Sequence, residues 1–269
     1  MKTQRPRFAV FLLMASVFFV SCKEETPIPP CKVSVIDRGN GNKHTYTYDA
    51  NGKIIQMARA FDGTGAGKIS TYVYSFTYDA SGLLIKSSIK LDGKDYGTET
   101  YTYYYSQISK VTYVNADGNK GTNNIKYNTA GQIIEFTYET GDPDSDGKQY
   151  FEYDANNIMT KRGFADLQGN KYFEVIIKPV GIVKSPEQLL VNNGLPFDVL
   201  SGFSWQVAEG NVGTTYESFF ADQDGKSVSD GKEKITAVKT NTKGYLIENT
   251  SVDDNNKSNY QQITLTDCN

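Results

Sequence analysis

The sequence predicts an all-β chain: repeated antiparallel β-hairpins forming an extended, twisted meander, curled toward a partial barrel and carrying one short helix. Three observations lead there. The chain of 269 residues combines 24 Gly and 19 Tyr with 8 Pro, a mixture that favours strands joined by tight turns over packed helices. Along Thr71-Tyr72-Val73-Tyr74-Ser75-Phe76-Thr77-Tyr78 every second residue is aromatic, so one strand face is a ladder of rings and the other is small and mostly polar. A strand–turn–strand unit also recurs every 22 to 30 residues, the spacing of repeated supersecondary units.

In chain order, the first element is an address for export. Lys2, Arg5 and Arg7 precede an apolar run from Phe8 to Val20. That run is too short to span a bilayer as a helix, which needs about 20 residues, but it suits a signal-peptide core. It ends in Phe19-Val20-Ser21-Cys22, which resembles the lipobox of bacterial lipoproteins, with Phe19 departing from the usual leucine. The resemblance implies cleavage of residues 1–21 and lipidation of Cys22. The alternative is an ordinary secretory signal with a chance cysteine. Residues 22–31 then form a lipidated cysteine and a tether, Lys23-Glu24-Glu25-Thr26-Pro27-Ile28-Pro29-Pro30, stiffened by its prolines. Its acidic pair resembles the surface-export signal of Bacteroidota lipoproteins. The expected location is therefore the outer membrane, lipid-anchored and facing the exterior, with the periplasmic face as the alternative.

A single domain is expected over 32–269. Cys31 opens it and Cys268 lies one residue from the end. An exported compartment permits their oxidation to a disulfide, and two free thiols are the other reading. The bond would bring a last strand, Gln261–Thr266, beside a first strand, Lys32–Asp37.

The repeats follow. Tyr46-Thr47-Tyr48-Asp49-Ala50-Asn51-Gly52-Lys53-Ile54-Ile55 returns as Phe76-Thr77-Tyr78-Asp79-Ala80-Ser81-Gly82-Leu83-Leu84-Ile85 and as Ile125-Lys126-Tyr127-Asn128-Thr129-Ala130-Gly131-Gln132-Ile133-Ile134. A worn copy ends in Tyr153-Asp154, and another, with a shortened turn, runs from Tyr103 to Ile108 with Tyr105 as its anchor. Asp or Asn after the tyrosine can cap a tight turn, and the Gly three residues on supplies a positive φ. Second turns are expected at Asp62-Gly63, Asp92-Gly93, Asp117-Gly118, Asp146-Gly147 and Gln168-Gly169. Residues 44–175 resemble the tyrosine–aspartate (YD) repeats of rearrangement-hotspot and teneurin-like proteins, and similar units in Bacteroidota surface lipoproteins. The giant members close many repeats into a shell around cargo. Five repeats imply the strand–turn–strand unit without encapsulation.

Over 180–269 the pattern changes. Ser185-Pro186-Glu187-Gln188-Leu189-Leu190-Val191-Asn192-Asn193-Gly194 carries a capping box, a proline at the first helical position and a glycine stop, and so predicts the helix. Strands are expected to resume near Phe203–Ala208, Thr215–Ala221, Glu233–Lys239, Tyr245–Asn249 and Gln261–Thr266, with turns at Asp224-Gly225 and Lys243-Gly244.

The chemistry is sparse. A formal charge of −3 supplies no basic patch for nucleic acid, and one histidine removes His-cluster metal sites. His44 has no nucleophile or acid partner at a recognisable spacing, which suits a structural histidine better than a base. Asp142-Pro143-Asp144-Ser145-Asp146-Gly147 begins like a calcium loop, but Tyr153 stands where the bidentate Glu belongs. An acidic hairpin tip is the better reading. The tyrosine ladder is read as sheet packing, with sugar stacking as the rival. No catalytic residue, cofactor or metal site is expected. The function expected is a non-enzymatic, membrane-anchored lipoprotein displaying a repetitive sheet for binding or structural contact with a protein or polysaccharide. Its rivals are a glycan-binding accessory lipoprotein and a hydrolase working through two carboxylates.

Overall fold

The computed structural model describes residues 31–62, 67–142, 146–156, 158–186, 189–190, 211–222 and 226–268. It holds sixteen strands: β1 (Lys32–Asp37), β2 (Lys43–Tyr48), β3 (Ile54–Asp62), β4 (Ile69–Tyr78), β5 (Leu84–Leu91), β6 (Lys94–Tyr104), β7 (Gln107–Asn115), β8 (Lys120–Tyr127), β9 (Ile133–Glu139), β10 (Gly147–Tyr153), β11 (Met159–Ala165), β12 (Lys171–Lys184), β13 (Asn211–Ala221), β14 (Ser227–Thr240), β15 (Leu246–Asp253) and β16 (Ser258–Thr266). All pairings are antiparallel and nearly all join chain neighbours; β16 then pairs with β1, so the meander closes into a barrel. The partial barrel expected from five repeats is thus corrected to a closed one. The last four strands complete the circuit, and β1 meets β16 from Lys32↔Thr266 to Asp37↔Gln262.

Each repeat builds its hairpin from two adjacent residues with separate tasks. The Asp or Asn closes the turn: Asp49 Oδ1 accepts the amides of Asn51 and Lys53 at 2.9 and 2.8 Å, and Asp79, Asn128 and Asp154 accept the equivalent pairs. Gly52, Gly82 and Gly131 follow at φ of 82°, 87° and 82°, a conformation that costs glycine nothing. The tyrosine before it closes a seam. Main-chain pairing between β3 and β4 runs only as far as Gln56↔Ser75, and the Tyr78 hydroxyl donates to the Ile54 carbonyl beyond it at 2.5 Å. Tyr48, Tyr103, Tyr127 and Tyr153 donate in the same way to Val33, Leu84, Ile108 and Ile133, at 2.7 to 2.9 Å.

Tyr103, and not Tyr105, is therefore the anchor of the shortened repeat. Tyr105 sits at the apex of the β6–β7 turn with φ 54°. The turn expected at Asp146-Gly147 also shifts. Gly147 is a buried residue opening β10, and the Asp146 carboxylate closes the loop by accepting the Thr140 amide and hydroxyl at 2.6 and 2.8 Å.

A bulge precedes every anchor tyrosine, where the register slips by one residue, as between Thr47 and Tyr48. The slip converts period two into an i, i+3 pattern on the partner strand. Ile54 and Met57 are buried while Ile55 and Gln56 face out; Ile133 and Phe136 are likewise buried. The same device appears without a tyrosine at Thr240, where Asn241 caps the turn onto Lys243 and Tyr245. β14–β15 is thus a further repeat that its sequence hides.

Every strand sends at least one residue into a single apolar cluster inside the barrel, among them Ile36, Tyr46, Met57, Phe76, Tyr101, Phe136, Phe151 and Ile263. The tyrosine ladder is largely the lining of this interior. Outward positions carry Thr, Lys, Ser and Glu, with cross-strand ion pairs such as Lys126–Glu135 and Lys239–Glu248, both at 2.6 Å.

Of the helix expected over 185–194, only Ser185, Pro186, Leu189 and Leu190 are described. The Leu189 amide donates to the Pro186 carbonyl at 3.0 Å, and both leucines join the barrel core. Leu189 and Leu190 are helical, while the rest of the expected helix beyond them and the strand expected over 203–208 lie outside the described residues.

The seam hydrogen bond is open to a direct test. Tyr127→Phe keeps the ring and deletes the donor to Ile108, so urea unfolding should show a loss of about 1 kcal/mol. The exposed Thr129→Ala is the neutral control.

Candidate functional site

The antiparallel order gives the barrel two unlike ends. At one end lie Cys31, Cys268, all the Tyr-Asp turns and the connection from β12 to β13. At the other lie the turns after β1, β3, β5, β7, β9, β11, β13 and β15.

The first end is stapled. Cys31 and Cys268 form a disulfide across 237 residues with Cα atoms 4.4 Å apart, so the expected bond is present. Lys32 reinforces it with an ion pair to Asp267 at 3.0 Å. The turns at this end also reach sideways: the Lys53 ammonium donates to the Gly82 carbonyl at 2.8 Å and lies over the Tyr78 ring, and the Gln107 amide donates to Gly131 at 3.2 Å. Cys22 lies outside the described residues.

At the opposite end a cavity of about 550 Å³ opens into the barrel mouth between β12, β13, β14 and the β15–β16 turn. Register fixes which side chains face it. Tyr216 is buried in the core, Glu233 stands opposite Tyr216, and Asp253 stands opposite Glu233. Phe173 and Phe220 form the aromatic wall with centroids 4.9 Å apart, and Phe220 is 46% exposed. Gly231 faces Ser218 across a bulge, which leaves the neighbouring Asp230 out of the ladder and on the rim.

The carboxylates here are already engaged in part. Glu233 Oε1 accepts the Ser251 hydroxyl, Asp253 Oδ1 caps its turn by accepting the amides of Asn255 and Lys257 at 2.9 and 2.8 Å, and Asp254 accepts the Lys232 amide at 2.7 Å. The site therefore pairs ring faces with fixed hydrogen-bond acceptors. Sequence reasoning missed it, because Phe173, Tyr216, Glu233 and Asp253 come from four strands and share no motif. No group of three or more His, Cys, Asp or Glu among the described residues is arranged to hold a metal ion. Part of the acidic loop 142–146 lies outside them.

His44 belongs to another sector of the same end. It is 5% exposed on the inner face of β2, with Arg38 Nη1 at 3.4 Å and the Tyr46 hydroxyl at 3.5 Å from its Nδ1. Burial, then the charges of Arg38 and Arg59, lower its pKa to about 2. It is a neutral core histidine and takes no part in the cavity. Arg38 and Arg59 lie in the β1–β3 sector of this end together with Asp37 and Asp62, and Asp230, Glu233, Asp253 and Asp254 lie in the β14–β15 sector together with Lys232.

No family model and no curated protein matches the sequence. Among solved structures, a porin-like protein from Bacteroides uniformis matches with a TM-score of 0.55 and 13% identity, covering 89% of this chain and 97% of that one. At that identity the likeness is one of fold. TcdB2–TccC3 without its hypervariable C-terminal region matches 80% of this chain at 12% identity and a TM-score of 0.38. This chain spans only 10% of that one, and the match carries no argument. The YD resemblance rests on the repeat residues themselves.

The histidine makes pH a probe of the barrel end. Its folded pKa lies below the 6.5 of the free side chain, so the unfolded chain binds the extra proton between pH 6.5 and about 2. Stability is therefore full above pH 6.5 and falls below it, by about 1.4 kcal/mol per pH unit. His44 is the only histidine, so His44→Gln should flatten urea-measured stability between pH 6.5 and 5. An unchanged slope in that variant would contradict the assignment.

Proposed function

We propose that this chain is a lipid-anchored, non-enzymatic binding protein of the bacterial outer membrane, whose barrel stands in water and takes up a glycan segment at the mouth farthest from its anchor. The observation that carries this reading is the opposition of the two ends. The chain enters at Cys31, beside the disulfide, and the cavity opens at the other end.

The sidedness of the wall supports the aqueous part of the reading. A membrane-spanning barrel shows lipid an apolar band and keeps polar groups inside. Here the order is reversed, with rings inside and Lys126–Glu135, Lys239–Glu248 and Lys161–Glu174 ion pairs outside. Membrane attachment then falls to lipidated Cys22, since several acyl chains anchor stably where one does not. The tether of residues 22–30 reaches at most about 28 Å in the extended polyproline form.

The glycan part rests on the cavity. Phe173 and Phe220 offer apolar ring faces to the C–H surface of a pyranose, while Glu233, Asp230 and Ser218 offer hydrogen-bonding groups to its hydroxyls. The tyrosine ladder offers no such face, because it largely lines the barrel interior. A two-carboxylate hydrolase is the weaker reading. Glu233 and Asp253 sit side by side on one wall, and Asp253 is held as a turn cap.

Cys22→Ala should stay unprocessed or be shed from the membrane fraction, and normal processing of that variant would remove the anchor from this account. On a polysaccharide array the mature protein should retain at least one glycan class. Phe220→Ala, at a half-exposed ring, should weaken that binding about tenfold, some 1.4 kcal/mol, with an unchanged thermal midpoint as the check on folding. Full retention by Phe220→Ala moves the site elsewhere, and appearance of new reducing ends makes the protein a hydrolase.

A further inference from the structure

We infer that the β6–β7 hairpin tip, Tyr104 and Tyr105, is a membrane-interface contact that fixes the tilt of the barrel over the bilayer. This inference rests on the reading of Cys22 as the lipid anchor.

Among the described residues the tip shows the most exposed aromatic rings. Tyr104 is 69% exposed and Tyr105 87%, above every other large apolar or aromatic residue described. Their rings touch each other edge to face, with centroids 4.6 Å apart. The remaining anchor and ladder tyrosines point inward or spend their hydroxyls on the seams.

The backbone argues against an incidental ring. Tyr104 pairs with Gln107, leaving Tyr105 and Ser106 as a two-residue turn. Tyr105 adopts φ 54°, whereas Gly52, Gly82, Gly131 and Gly244 take the positive φ in four other turns at this end. Left-handed backbone disfavours a bulky L-residue and suits Gly or Asn. The tip therefore holds a tyrosine where local structure would select a smaller residue.

Position and charge name the occupant. The tip lies at the barrel end where the chain enters from the tether. From β1 to β6 is five strand spacings, about 24 Å around the wall at roughly 4.8 Å each. That is within the tether's reach, so a lean toward β6 brings the tip down to the surface that holds Cys22. From Thr102 to Ile134 this end presents two tips, Tyr104-Tyr105-Ser106 and Asn128-Thr129-Ala130-Gly131, with no carboxylate in either. The flanking tips carry Asp49, Asp79 and Asp154. A negatively charged bilayer surface repels those and admits this sector. Tyrosine, with an apolar ring and a polar hydroxyl, is enriched at the headgroup level.

The test uses the lipidated protein in vesicles of phosphatidylethanolamine and phosphatidylglycerol. Tyr105→Trp is made in a Trp205→Phe background, and Gln168→Trp at the far end is the reference probe. Lipids brominated near the headgroup should quench Tyr105→Trp severalfold more than Gln168→Trp, with blue-shifted emission. Tyr104→Ser with Tyr105→Asn should leave flotation and the thermal midpoint no lower, while a fluorescent label near Ala50 loses its fixed distance to the bilayer. Equal quenching at both ends, or an unquenched Tyr105→Trp on floating protein, overturns the inference. A protein that does not float unless a hexahistidine tag at residue 22 holds it on nickel-chelating lipid removes the anchor reading alone; the tip is then judged by the same quenching. Retained quenching only with an added protein or glycan assigns the tip to that partner and overturns the membrane contact.

Discussion

The barrel depends on a tyrosine hydroxyl meeting a main-chain carbonyl just past the point where two strands stop pairing. Within each hairpin the ladder runs to the turn, because the capped loop and its bulge hold both strands together. Between hairpins it ends early: at Gln56↔Ser75, at Lys86↔Thr100 and at Lys110↔Asn124. The carbonyls of Ile54, Leu84 and Ile108 lie beyond those ends and receive Tyr78, Tyr103 and Tyr127. A backbone acceptor left unpaired in a partly buried seam carries the cost of a lost hydrogen bond. Each tyrosine removes that cost and adds a ring to the core. Burial raises the hydroxyl pKa of Tyr48 and Tyr78 well above the ordinary value, so the donor proton is retained at any physiological pH.

Closure follows from applying this link repeatedly. One hairpin with a bulge bends and twists its own strands. Linking hairpins at the same end, always from the later strand to the earlier, gives every bend the same sense. The sheet must then curl, and the disulfide receives the last strand when β16 comes round to β1. The filled interior sets the sign of the wall. A large barrel can leave its lumen to water, but here most inward positions are rings and branched aliphatics, and the buried polar side chains among them pair with one another, as Asn249 does with Gln261 and Tyr138 with Gln149.

Much of this could be read in the sequence, and the failures have physical causes. The repeats, the Asp and Asn caps, the positive-φ glycines, β1, β16 and the Cys31–Cys268 bond were legible because each is a local pattern or a pairing of unique residues. The bulge was not, since period two continues on the tyrosine strand while its partner silently shifts to i, i+3. For the same reason Ile54-Ile55 read as an apolar pair although only Ile54 faces in. Tyr103-Tyr104-Tyr105 hid its anchor because three identical residues give no phase. The Thr240-Asn241 hairpin escaped because Thr replaced the tyrosine, leaving the Asn cap and Gly244 as the only signal. The mouth was beyond reach altogether, as its side chains meet only after the strands from β12 to β15 are in register.

The two ends differ because the repeat is directional. Tyrosine, cap and glycine always fall after an even-numbered strand, so seam hydroxyls, lateral Lys53 and Gln107 contacts and the disulfide accumulate at one end. The opposite turns are linked differently, by main chain and caps: Asp92 Oδ1 accepts the Thr71 amide at 2.7 Å, the Ala116 amide donates to the Tyr96 carbonyl at 2.8 Å, and Asp254 accepts the Lys232 amide at 2.7 Å. Asp92-Gly93 is a tight turn with φ of 49° and 81°, and Asp166 and Asp222 cap theirs locally. Inward positions at that end are not all apolar, as the buried His44 shows. This is where Arg38, His44 and Arg59 gather on one side and Glu233 and Asp253 on the other. The stapled end thus gathers the seam hydroxyls and the disulfide, and the far end gathers the cavity with the ionisable side chains that face it.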